Sequence, residues 1–95
     1  MLIETPYKNG DAVTIKLTSG EEIIARLQEE TEEGLKVSKP MSLTATQEGI
    51  GLAPFVFTIS PETDFVIKNH SIICVAKTIE EMATQYIQNT TGLSV

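Results

Sequence analysis

The chain reads first as alternation. From Asp11 to Ser19, Val13, Ile15 and Leu17 fall on one side, and Thr14, Lys16 and Thr18 on the other. Residues two apart share a face of a strand, so this spacing predicts a strand with one buried face. Ser19-Gly20 then signals a tight turn, because glycine takes positive φ at no steric cost. In the following stretch, Glu21 to Glu30, Ile23, Ala25 and Leu27 form an inner face and Ile24 interrupts the polar one. The two strands are predicted to form a hairpin.

Glu29 to Gly34, EETEEG, is the next turn. Its four glutamates lack the D-x-D-x-D-G ladder of a calcium loop, so a solvated turn is the reading. A third strand is predicted from Leu35 to about Thr46. Pro40 in its middle has no N–H to donate, which requires a bend, a bulge or an edge. Glu48 to Pro54 reads as a glycine-rich loop, with Gly49 and Gly51 serving turn geometry. It lacks the G-x-x-x-x-G-K-[ST] pattern of a phosphate loop. Phe55, Phe57 and Ile59 are in phase and predict a fourth strand, closed by Ser60 to Asp64.

Asp64 to Thr78 reads as strand, polar turn, strand, with Lys68-Asn69-His70-Ser71 as the turn. In the second of these strands Ile72, Cys74 and Ala76 share one face, and Ile73 and Val75 the other. Apolar residues on both faces predict cover on both, one by the core and the other by a second subunit. Cys74 is accordingly expected to be a buried small hydrophobe. A helix is predicted from Thr78. Thr78 and Glu81 form a capping box, Ile79, Met82, Ala83, Tyr86 and Ile87 make one apolar face, and Gly92 marks a stop. Short strands with closely spaced turns predict an all-β small barrel of five strongly bent antiparallel strands with a C-terminal α-helix. The expected single domain divides into a lead-in at 1–10, the barrel at 11–77, the helix at 78–89 and a tail at 90–95.

Composition narrows the chemistry. At 95 residues one domain is the default. Thirteen acids against seven bases give a net charge of −6, which is not the electrostatic footprint of a general nucleic-acid binder. One cysteine allows no intrachain disulfide, and one histidine with one cysteine offers no zinc set. No spacing singles out a triad or a tuned carboxylate pair, so the chain is read as a non-enzyme without cofactor or metal. MLIETPYKNGD is not a signal peptide, and no run approaches a membrane span. The expected compartment is the cytoplasm, with no membrane partner.

Two stretches resemble the Sm motifs. Gly10, Val13-x-Ile15-x-Leu17, Gly20 and Ala25-x-Leu27 are similar to the first, with Ala25 where glycine is usual. Ile67-Lys68-Asn69 followed by Ser71-Ile72-Ile73-Cys74-Val75 is similar to the second. The Lys68 and His70 pair also resembles the lysine-histidine turn of Hfq proteins. Across most of the chain the string resembles the Sm-like proteins of tailed bacteriophages, at SGEEIIARL, Lys39-Pro40, GIGLAPF, IKNHSII and YIQNTTG. The resemblance implies an Sm-like barrel in a closed homo-oligomeric ring, with edge strands of neighbouring copies paired. It also implies single-stranded RNA or DNA as partner, host-cell cytoplasm as location, and Lys68, Asn69 and His70 as the nucleic-acid-binding residues. Lys68 would meet phosphate or stack, Asn69 would bond a base edge, and His70 would stack or donate. The pattern departs from the family in its acidic second turn and in placing its helix after the last strand. Those departures motivate the alternative, an acidic adaptor ring that binds protein.

Overall fold

The computed structural model describes residues 7–91. Expectations for the first six residues, for Gly92 and for the rest of the tail fall outside them. Six strands and one helix follow in order: β1 (Ala12–Leu17), β2 (Glu22–Glu30), β3 (Gly34–Thr46), β4 (Gly49–Pro54), β5 (Phe65–Lys68), β6 (Ile72–Lys77) and α1 (Glu80–Thr91). A 3₁₀ turn, Asn69–Ser71, links β5 to β6.

The hairpin forms as its alternation predicts. Val13 pairs with Ala25 and Ile15 with Ile23, and these side chains, with Leu17 and Leu27, are buried. Gly20 adopts φ 101°, and its N–H closes the turn on the Leu17 carbonyl at 2.9 Å. Leu35, Val37 and Ile67 complete the main core, against which Phe55, Ile72 and Val75 pack. Ile24 is buried too, on the opposite face of β2.

β3 organises the sheet. Its first half pairs with β5, from Gly34 opposite Lys68 to Val37 opposite Phe65. Its second half pairs with β4, from Met41 opposite Pro54 to Thr46 opposite Gly49. Between them lies the bend that Pro40 required. Against β2 the register runs Arg26 to Ser38 and then Ile24 to Met41, so Lys39 and Pro40 together face Ala25. This is a bulge, and it holds Lys39 at φ 51°.

The sheet order is β4-β3-β2-β1-β6, with β5 also on β3. β5 and β6 are joined by the 3₁₀ turn rather than by a ladder. The antiparallel sheet is therefore curled but not closed, and it has six strands where five were expected.

Three local expectations are corrected. The fourth strand is Gly49–Pro54, not Phe55–Ile59. Thr46 and Gly49 turn the chain back onto β3, with the Thr46 hydroxyl donating to the Gly49 carbonyl at 2.8 Å. Backbone pairing thus overrides the turn character of the glycines, and Phe57 is left 82% exposed in the bends that follow. Cys74 is exposed rather than buried. Lys16 faces Cys74 but Leu17 faces Ile72, so Ile73 is an extra residue in β6. That bulge shifts the phase: Ile72 and Val75 pack on the core, and Ile73 turns outward at 61% exposure. Finally, the helix runs Glu80–Thr91 rather than 78–89. Its first bond, Ala83 N–H to the Ile79 carbonyl, makes Ile79 the N-cap position. Thr78 is buried, and its hydroxyl lies 2.9 Å from that of Thr14.

Of the predicted apolar helix face only Tyr86 is fully buried, while Ile79 is 65% exposed. The Tyr86 hydroxyl shares its proton between the Lys39 carbonyl at 2.8 Å and the Ser38 carbonyl at 3.2 Å. It thereby docks α1 on the β3 bulge.

Candidate functional site

The turn that carries Lys68, Asn69 and His70 is fixed by backbone bonds on both flanks. The Asn69 N–H donates to the Glu33 carbonyl at 2.9 Å, and the Thr18 N–H donates to the Ser71 carbonyl at 2.9 Å. Three of the loops connecting strands therefore meet at one end of the sheet: 18–21, 31–33 and 69–71.

The acidic turn facing it is equally defined. Thr31 N–H donates to the Gly34 carbonyl at 2.8 Å, and the Thr31 hydroxyl lies 3.1 Å from the Gly34 N–H and 3.2 Å from the Glu33 N–H. Gly34 makes the approach of the two turns possible. A Cβ there would collide with the Ile67 carbonyl, so only glycine lets β3 start this close to the end of β5.

This geometry brings the predicted residues against the glutamates. The Asn69 side-chain amide donates to the Glu32 carbonyl at 2.9 Å. Lys68 Nζ lies 3.6 Å from Glu33 Oε1, with both side chains more than half exposed. Such a surface pair is worth at most about 1 kcal/mol and is readily opened. His70 is exposed in the 3₁₀ turn. Next along, Glu30 accepts the Tyr7 hydroxyl at 2.9 Å. Burial raises the Tyr7 pKa above its ordinary value, and the bond to Glu30 and its negative charge push the same way.

The site is therefore a polar rim in which Glu29, Glu30, Glu32 and Glu33 outnumber Lys68. Asn69 gives one side-chain N–H to the Glu32 carbonyl and so fastens the two turns. Sequence reasoning did not foresee this fastening role, nor those of Thr31, Gly34 and Thr18. Thr31 three residues before Gly34 is the one local signal, since a hydroxyl there can close a turn. Among the described residues no group of three or more His, Cys, Asp or Glu side chains is gathered to hold an ion.

A second feature is the outer side of β6. Among the described residues it stands at the end of the sheet order with only β1 beside it, and it exposes Ile73, Cys74 and Ala76. Among the described residues no helix is long and apolar enough to cross a membrane. No protein-family model matches the chain, and no curated protein matches it.

Proposed function

We propose that the chain is a subunit of a self-assembling Sm-like ring, a small barrel completed by its neighbours, whose acid-lined turn face binds protein. The role is binding and assembly rather than catalysis, and it is exercised in the cytoplasm. Two features support assembly. Among the described residues β6 has an unpaired edge at one end of the sheet, and β5 and β4 have theirs at the other. Edges of this kind are templates for pairing with another copy. β6 also carries an outward isoleucine next to its edge, as an interface strand would.

One observation carries the choice of ligand class. The turn that would grip nucleic acid has its amide committed to Glu32 and its ammonium beside Glu33. Glu29, Glu30, Glu32 and Glu33 are all exposed around this turn, and a phosphate brought to Lys68 would lie close to Glu33, well inside a Debye length of about 8–10 Å, where repulsion is only partly screened. A strand of phosphates would gain one lysine and meet this cluster. A basic protein segment would meet favourable charge instead.

The second reading, binding of single-stranded RNA or DNA at Lys68, Asn69 and His70, is favoured by one fact. Lys68 and His70 are exposed, and the Lys68–Glu33 pair is cheap to open. Anisotropy titration of labelled single-stranded RNA and DNA at low and moderate salt separates the two. The first reading predicts no binding by the wild type even at low salt. It also predicts salt-sensitive binding once Glu32→Gln and Glu33→Gln remove the repulsion. Salt-sensitive wild-type binding that is lost in Lys68→Ala would establish the second. A protein partner, in turn, is expected to be retained after nuclease treatment and lost in the double glutamine variant.

A further inference from the structure

The chain enters β1 through a segment, 7–11, that is fastened along the end of β2. The Tyr7 hydroxyl donates to Glu30 at 2.9 Å, and the Leu27 N–H donates to the Asp11 carbonyl at 2.9 Å. Between them Lys8, Asn9, Gly10 and Asp11 make a turn, with the Asp11 N–H on the Lys8 carbonyl at 3.0 Å and Gly10 at φ 96°. Gly10 is held at both its polar atoms. Its N–H donates to the Leu27 carbonyl at 2.6 Å, and its carbonyl accepts from Arg26 Nη1 at 3.0 Å. Asn9, just before it, is exposed.

We infer that Asn9-Gly10 is a self-modification site, at which the Asn9 side chain loses its amide through a cyclic imide, and that the fold keeps it shut until segment 7–11 lifts from β2. The reaction needs only the chain and water. The Gly10 nitrogen gives up its proton to solvent base and attacks the carbonyl carbon of the Asn9 side chain. The new C–N bond closes a five-membered imide. The bond to the side-chain amide nitrogen breaks, and that nitrogen leaves as ammonia with a proton from solvent. Water then opens the ring at one of its two carbonyls. One opening leaves aspartate, and the other leaves isoaspartate, whose main chain is one carbon longer. Nothing is oxidised or reduced.

Reactivity comes from the sequence. Glycine has no side chain to shield its nitrogen, so Asn9 has the least hindered neighbour of the chain's asparagines; Asn69 and Asn89 precede His70 and Thr90. Suppression comes from the structure. In the closed turn the proton on the Gly10 nitrogen is bound to the Leu27 carbonyl, and Arg26 pins the next peptide group. The nitrogen is then neither an anion nor free to swing toward Asn9 Cγ. Lifting the segment removes both restraints, so the modification follows local opening rather than time alone. It is also one-way. A carbon added to the main chain at residue 9 alters the spacing of the turn, so the Leu27 and Arg26 bonds to Gly10 no longer fit together. The added carboxylate stands two residues from Asp11, in a chain that is already acidic.

The test uses the full chain in mildly alkaline buffer, with and without guanidinium chloride, followed over time by mass spectrometry of the tryptic peptide 9–16. Asn9 is the only asparagine in that peptide, and it holds no glutamine, so an amide-to-acid mass change assigns the site. The expected result is steady conversion in denaturant and, in native buffer, a rate lower by about tenfold or more, as befits a reaction that waits for a local opening. Converted chain returned to native buffer is expected to exchange its Gly10 and Leu27 amides faster than unconverted chain. Asn9→Gln changes an exposed side chain and keeps the fold. It is expected to show no such mass change, because its ring would be six-membered and closes slowly. No conversion in denaturant overturns the site. Equal rates with and without denaturant overturn its gating by the fold, and unaltered exchange of the two amides overturns its one-way character.

Discussion

Tyr86 illustrates what a single residue does in this chain. Its ring is fully buried and its hydroxyl serves two carbonyls at the Lys39-Pro40 bulge, those of Ser38 and Lys39. Tyr86→Phe keeps the ring but strands those carbonyls, at a cost of about 1–3 kcal/mol. Urea denaturation is expected to show a lower midpoint with little change in slope. The pH dependence has a definite sign. Burial raises the Tyr86 pKa from 10.0 to about 12, against a smaller lowering by Arg26. Below pH 10 both folded and unfolded chains hold the proton. Between there and about 12 only the folded chain does, so stability falls as pH rises through that window, by roughly 2–3 kcal/mol in all. Tyr7 contributes in the same direction, so the measurement is the difference between wild type and Tyr86→Phe, whose stability should fall less steeply there. The periodicity marked Tyr86 as a packing residue. It could not reveal the hydroxyl's partners, because these lie 47 and 48 residues away in sequence.

At the scale of elements, the hairpin and the bend in β3 were legible because each rests on local chemistry. Val13, Ile15 and Leu17 alternate with polar residues, Gly20 turns, and Pro40 cannot donate. The misread elements depend on register. Nothing within IICVAK indicates that Ile73 is extra; that is set by the Lys16 and Leu17 pairing in β1. In the same way Gly49–Pro54 becomes a strand because β3 is long enough to pair with it. Gly34 shows how tightly two elements depend on one atom. Gly34→Ala drives a Cβ into the Ile67 carbonyl, a backbone atom that cannot swing aside. A cost of about 1–3 kcal/mol is expected, seen as a melting temperature lower by roughly 5 °C or more. Amides of Glu33, Asn69 and their neighbours should lose protection from hydrogen exchange first, since the substitution parts these two turns. The candidate turn itself was legible as a polar break between apolar strands. Its fastening to Glu32 and Glu33 was not, because the bonds are far from local, the one from Asn69 to Glu32 joining residues 37 apart.

At the scale of the molecule, the argument turns on unfinished surfaces. Among the described residues the sheet ends in β6 on one side and in β4 and β5 on the other, and Ile73 of β6 and Ile50 of β4 are exposed on those strands. A chain of this size has little spare core, and in the proposed assembly the exposed Ile73 would be buried between copies. In the proposed ring the net charge of −6 would repeat in every copy, which would disfavour a polyanion as ligand. The most direct test is sedimentation velocity of the wild type beside Ile73→Asp, which changes an exposed side chain and is expected to keep the fold. The account predicts one discrete multimer of the 10.4 kDa chain, and a variant shifted to monomer. A wild type that sediments as a monomer at concentrations up to about 100 µM, an affinity weaker than about −5.5 kcal/mol, would contradict it.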